Sequence, residues 1–256
     1  MNKASIRSAP PEMTSRSKQG GFTLIEIAIV LVIIGLLLGG VLKGQELINT
    51  ARVRALNNTV DGITAAWFSF QDRYRAFPGD YPLAQTNLPA PVVPMVNGDG
   101  NGLAGMAGTV VSPVERSQIW VQLQAAGYIT GNFNGANVAQ SAYNCALITC
   151  PDNGFGSGLN MGYGAQNQTQ VAAGGFGGGG LPAHELISGQ GIPVEVLAEL
   201  DRKVDDGNAG SGAMQLGGAG TGWTAAQATA CQNAANPNLY GVLTPSVNCA
   251  AVFRNF

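Results

Sequence analysis

From Phe22 to Leu42 the chain reads FTLIEIAIVLVIIGLLLGGVL, an apolar run broken only by Thr23 and Glu26. Wound as a helix at about 1.5 Å per residue, these 21 positions span on the order of 30 Å, the depth of a bilayer's hydrocarbon core. A signal peptide has an apolar region of roughly 7 to 15 residues and then a small-x-small cleavage site. Here Lys43, Glu46, Arg52 and Arg54 follow instead. A helix on the surface of a core carries a polar face, and the stretch from Ile27 to Leu42 has none. The segment therefore reads as a membrane span.

Beyond the span the period changes with no turn signal between. Val53, Leu56, Val60, Ile63, Trp67, Phe70 and Tyr74 recur at steps of three and four, one apolar stripe on a helix, with Arg52, Arg54, Asn57, Asn58, Asp61, Asp72 and Arg73 between them. Pro78-Gly79-Asp80 is the predicted stop. A single helix from Phe22 to about Arg75 is on the order of 80 Å long, more than a globular domain needs, so its first half is expected to stand outside the head. Residues 78–256 are rich in Gly, Ala, Asn and Pro. Helices are expected over Glu115–Ala126, capped by Gly127, and over Val194–Val204. Eleven of the 27 residues from Gly154 to Gly180 are glycine, which predicts loops with short strands.

Charge narrows the picture. Only 11% of the 256 residues are charged, the formal net charge is -2 and the pI is about 5.3. Nucleic-acid binding needs clustered Lys and Arg, so no nucleic-acid partner is expected. The single histidine, His184, excludes any site of two imidazoles, and with so few charged groups no enzymatic activity is expected. Residues 1–21 hold Lys3, Arg7, Arg16 and Lys18 against Glu12, which places this leader on the cytoplasmic side and the head outside. Lys43, Arg52 and Arg54 beyond the span work against that asymmetry. Four cysteines behind an export segment suggest disulfides in an oxidising compartment. They allow three pairings, of which we expect the local ones, Cys145 with Cys150 and Cys231 with Cys249.

The informative segment is Lys18-Gln19-Gly20-Gly21-Phe22-Thr23-Leu24-Ile25-Glu26. A carboxylate inside a membrane span is costly unless paired, so Glu26 is a candidate functional residue. Cleavage after Gly21 would create an amine on Phe22 at about the same depth, a partner for Glu26 within one helix or between neighbouring helices. G-F-T-L-I-E after a short basic leader and before an apolar run resembles the type IV pilin and type II secretion pseudopilin superfamily. The resemblance implies cleavage after Gly21 by a prepilin peptidase, methylation of the Phe22 amine and packing of the helices into a filament core. It further implies that Glu26 neutralises the Phe22 amine of an adjacent subunit, and that the partners are other pilin or pseudopilin subunits, an inner-membrane assembly platform and, before assembly, membrane lipid. The implied location is the inner membrane, single-pass, then a periplasmic or cell-surface filament. Many pilins have an early proline in this helix, where Gly39, Gly40 and Gly44 stand here. The resemblance implies an α+β fold of lollipop form, a long N-terminal membrane-spanning helix whose second half packs on an antiparallel sheet. The expected organisation is a cleaved leader (1–21), a filament-core helix (22–42), an amphipathic continuation (43–77) and a head (78–256).

Other chemistry is sparser. Asn97-Gly98-Asp99-Gly100-Asn101-Gly102 copies the opening of an EF-hand loop, making Asn97, Asp99 and Asn101 candidate calcium ligands, but Gly108 stands where the bidentate Glu belongs. Asp201, Asp205 and Asp206 form a second acidic group near a predicted helix end, expected as a solvated face. His184 with Glu185 is expected as a surface pair, and Gly177–Gly180 lacks the Lys-Ser/Thr of a phosphate loop. The filament reading has two rivals: a membrane-anchored extracytoplasmic module binding calcium or a glycan without polymerising, and an exported hydrolase, which one histidine serves poorly.

Overall fold

A computed structural model describes residues 23–89, 93–107, 110–111, 113–138, 144–164, 183–218, 223–254 and 256. The chain divides into two units, one ending at Glu46 and one comprising Leu47–Phe256. Helix α1, Leu24–Tyr74, carries residues of both. In the first unit its apolar side chains, among them Leu24, Leu31, Leu36 and Leu42, are exposed. The most apolar window of α1 has a mean hydropathy of 2.8, and by length and composition the helix can cross a membrane.

In the second unit α1 behaves as an amphipathic helix. Val53, Leu56, Val60, Ile63, Ala66, Trp67 and Phe70 are buried, and Tyr74 is half-buried. This is the stripe of three-and-four spacing, with Ala66 filling the gap beside Trp67. The helix stops three residues before the Pro78 turn because Arg75 turns left-handed, at φ 54°, while its N–H still reaches the Gln71 carbonyl at 2.8 Å. Gly79 then crosses helix α3 (Pro113–Ala125) so closely that a Cβ would lie 2.5 Å from the Glu115 carbonyl oxygen. Its N–H donates to Gln122 Oε1 at 2.7 Å, which pins the turn to the middle of α3.

Between α1 and α3 lie the short helix α2 (Ala84–Asn87) and the hairpin β1 (Met106–Ala107) with β2 (Val110–Val111). Helix α3 ends in a Schellman arrangement around Gly127, with Gly127 N–H on the Gln124 carbonyl and Tyr128 N–H on the Leu123 carbonyl. Strands β3 (Asn160–Gly164) and β4 (Ala183–Ile187) follow, then α4 (Val194–Val204), β5 (Met214–Leu216), α5 (Ala225–Ala230) and β6 (Ala251–Phe253). The four longer-range strands form an antiparallel sheet in the order β3-β4-β6-β5. The fold is α+β, a long apolar N-terminal helix with a small antiparallel sheet in the C-terminal part, consistent with a pilin-like architecture. The Gly177–Gly180 stretch lies outside the described residues.

Two disulfides join Cys145 to Cys150 and Cys231 to Cys249, with Cα–Cα separations of 6.0 and 5.8 Å. All four cysteines are buried.

His184 and Glu185 do not form the expected surface pair. Both are buried on β4, which lies between β3 and β6 and is covered on both faces, so the strand shows no alternation for sequence reading to use. The His184 ring sits among Phe77, Trp67 and Tyr163 at centroid distances of 4.4, 5.1 and 5.2 Å, and its Nε2 accepts from the Ala104 N–H at 3.2 Å. Burial lowers the His184 pKa to about 4 and holds the imidazole neutral. Glu185 accepts from Arg254 at 3.0 Å and lies in the field of buried Arg116, yet burial pushes its carboxyl up to about 7.

Candidate functional site

Three places collect the residues that sequence reasoning singled out. The first is the start of α1. Gly21 and Phe22 lie outside the described residues. Glu26 folds its carboxylate back over the helix start: Thr23 donates to Glu26 Oε2 from its backbone N–H and from its hydroxyl, both at 2.7 Å. In return the Glu26 N–H reaches Thr23 Oγ1 at 3.4 Å. Thr-x-x-Glu is a capping box, a signal legible in the sequence. The box serves helix-end N–H groups that hydrocarbon cannot hydrogen-bond and gives the carboxylate local donors.

The second is the acidic loop after α1. Asp99 accepts from Asn101 through both its backbone N–H and its side-chain amide, at 3.0 and 2.9 Å. The Asn97 side-chain oxygen accepts from the Gln85 N–H at 2.8 Å, and that of Asn101 from the Leu103 N–H at 2.7 Å. Asp99 also meets Asp80 and Glu115, with one carboxylate oxygen from each within 4.8 Å of the others. Asp80 is delivered by the turn that follows α1, Glu115 by the first turn of α3. Both Asp80 oxygens are occupied by backbone donors, Oδ1 by Gly100 and Asn101 and Oδ2 by Gly102, at 2.8 to 3.1 Å. Glu115 Oε1 accepts from the Asp99 N–H at 3.1 Å. Burial raises the Asp80 carboxyl, and burial with the neighbouring acids raises Glu115 to about 7. The carboxylates thus organise the loop by accepting N–H groups; chemically the same oxygens suit a hard divalent cation.

The third group, Asp201, Asp205 and Asp206, likewise lies within 4.8 Å. Contrary to the expected solvated face, Asp201 is wholly buried while Asp205 and Asp206 are exposed. Burial pushes Asp201 up to about 6. The Ser211 hydroxyl at 2.7 Å, followed by the Asn208 N–H, holds Asp206 below its ordinary range. Tyr240 donates to Asp201 Oδ2 at 2.9 Å, and burial with that carboxylate raises the phenol. Tyr240 was not foreseen, since it lies far along the chain in a loop without periodicity.

Residues 16–42 match a family model described as the prokaryotic N-terminal methylation motif, the prepilin-type motif of type IV pilins and pseudopilins. No curated protein and no solved structure matches the chain.

Proposed function

We propose that this chain is a structural subunit of a type IV pilus-like or type II secretion filament. The observation that carries the proposal is one of register. The methylation motif ends at residue 42, and the apolar side chains of α1 that follow the cleavage position are exposed through that same stretch. A helix apolar on all sides is suited first to lipid and then to other helices of its kind, so storage in a membrane and packing in a filament core ask for the same surface.

In this reading a prepilin peptidase cuts after Gly21 at the cytoplasmic face, the Phe22 amine is methylated, and the head lies outside the cytoplasm. Removal of Lys3, Arg7, Arg16, Lys18 and Glu12 takes the formal charge from -2 to -5. Heads of like charge repel, so the apolar helices supply the cohesion of the filament. Glu26 is held by Thr23 within its own chain and, on assembly, neutralises the Phe22 amine of a neighbour. The subunit performs no catalysis.

The test is expression beside an active prepilin peptidase, followed by mass analysis of the N-terminus. Methylated Phe22 is the expected terminus; an intact Met1 supports an anchored module that does not polymerise. Glu26→Gln keeps the shape and removes the charge. Cleaved protein in the membrane should remain near the wild-type level, while the amount in sheared filaments falls steeply. Normal filament yield refutes the pairing, and lost cleavage moves Glu26 to peptidase recognition.

A further inference from the structure

The apolar surface of α1 does not end where the apolar run of the sequence does. Beyond Leu42 come Lys43 and Glu46, which neutralise each other in an ion pair of 2.6 Å, and then Leu47 and Ile48, exposed by 62% and 54%. The next two charged residues along the helix are both basic, Arg52 and Arg54, and both are exposed. Ile48 and Arg52 are four residues apart, Leu47 and Arg54 seven, so each arginine stands over an exposed apolar side chain on the same side of the helix. Val53, between the two arginines, turns into the head. From Leu47 onward all of these belong to the second unit.

The acids of the head do not use these arginines. Among the described residues neither Arg52 nor Arg54 makes an ion pair. The Arg52 guanidinium lies over the Phe155 ring, 5.6 Å from its centroid, a contact with a quadrupole rather than with an acceptor oxygen. Asp152 lines the same groove, but its Oδ1 accepts from the Gly154 N–H at 2.8 Å. What remains is an apolar step followed by a basic step along one helix. An occupant that satisfies both must offer hydrocarbon first and anions next, which is the order of a bilayer's layers. The acidic head of another subunit offers the anions without the hydrocarbon.

We propose that Leu47, Ile48, Arg52 and Arg54 form a contact for anionic phospholipid: while the chain is stored in the membrane, the two apolar side chains lie at the hydrocarbon edge and the two guanidinium groups hold headgroup phosphates. The proposal rests on the membrane-storage part of the function above and adds its lipid partner. Length agrees with it. Leu24–Ile48 is 25 residues, about 37 Å of helix against about 30 Å of hydrocarbon, and a tilt on the order of 35°, within the range of membrane helices, matches the two. Arg52 and Arg54 then stand about 5 to 7 Å beyond the hydrocarbon edge, at the depth of the headgroups. Side chains on a helix lean toward its N-terminus, which here is back toward the membrane. The planar fork of arginine matches two phosphate oxygens. A lipid of net negative charge is preferred to a zwitterionic one, whose own cation competes for the phosphate.

The full chain, with photoreactive benzoylphenylalanine in place of exposed Ala51, is reconstituted into vesicles of phosphatidylcholine and phosphatidylglycerol in known ratio. Flotation establishes that the chain is in the membrane. Illumination and mass analysis then count the adducts of each lipid on the peptide containing position 51, a readout that contacts of the basic leader do not reach. Phosphatidylglycerol should exceed its share of the vesicle by at least about tenfold, and Arg52→Gln and Arg54→Gln should each cut that enrichment by about fivefold. Arg73→Gln, exposed at the far end of α1, should leave it at the wild-type level. Four results overturn the contact and leave the anchored helix standing: no enrichment, unchanged enrichment in both glutamine variants at 52 and 54, loss of enrichment to inorganic phosphate at matched ionic strength, or adducts to a second chain in place of lipid. A chain that does not float overturns membrane storage itself and the contact with it.

Discussion

Helix α1 contains two stretches of similar helical character and opposite use of their apolar side chains. From Leu24 to Ile48 apolar residues occupy every side and are exposed; from Val53 to Phe70 they gather, apart from exposed Phe68, in one stripe, and that stripe is buried. The backbone hydrogen-bonding is the same, so the difference lies in the solvent each stretch is written for. In lipid an all-round apolar surface satisfies the helix without tertiary partners, whereas in water only a face can be apolar and it must be covered.

The largest expected effect tests whether the two stretches are energetically separate. Trp67 is fully buried against Phe77, His184 and Phe256. Trp67→Ala should destabilise the head by about 3 to 5 kcal/mol in urea denaturation of the full chain in micelles. Trp67→Phe should cost less, because the Trp67 Nε1 that it removes is buried without a partner. Ile34→Ala, in the exposed stretch, should leave head stability unchanged; a loss like that of Trp67→Ala would abolish the distinction.

Replacing Cys231 and Cys249 by serine opens a bridge of sequence separation 18 and should cost about 3 kcal/mol, against about 2 kcal/mol for the bridge of separation 5 between Cys145 and Cys150. Thermal melts give the ranking. The comparison sharpens if helicity in micelles survives head unfolding, as expected for a stretch that lipid or detergent alone satisfies.

Acidification separates the buried groups of the head. His184 is held neutral down to about 4, whereas the unfolded chain protonates near 6.5. The unfolded state therefore binds more protons in that window, so the contribution of His184 to stability is complete above about pH 6.5 and declines as pH falls toward 4. Glu115 and Glu185, raised to about 7, and Asp201, raised to about 6, act in the opposite sense. The folded state holds their protons more tightly, so their contribution grows as pH falls from about 7 to the ordinary carboxylate range. His184→Phe should consequently gain more stability than wild type between about pH 7 and pH 5, measured as the shift of the urea midpoint. Equal shifts would show that His184 is not held neutral.

The smallest effect compares two capping boxes. Thr224 and Gln227 cap α5 as Thr23 and Glu26 cap the start of α1. Thr224→Ala should lower head stability by about 1 kcal/mol. Thr23→Ala should leave the same measurement where it is.

What the sequence determined by itself was whatever repeats over a few neighbouring residues. The span, the motif ahead of it, the stripe from Val53 to Tyr74 and the helix Val194–Val204 all follow from spacing along one segment, because a helix brings residues three and four apart to one face whatever surrounds it. Short strands such as Met214–Leu216 and Ala251–Phe253 offer too few positions to show a period, and the order β3-β4-β6-β5 is not the order of the chain. Tertiary structure alone decided that Asp99 meets Asp80 and Glu115 besides its neighbour Asn101, that His184 is enclosed by rings from three different segments, and that Asp201 is buried under Tyr240. Each of these is a meeting of residues distant in sequence, and no local rule records which distant segment will supply the partner.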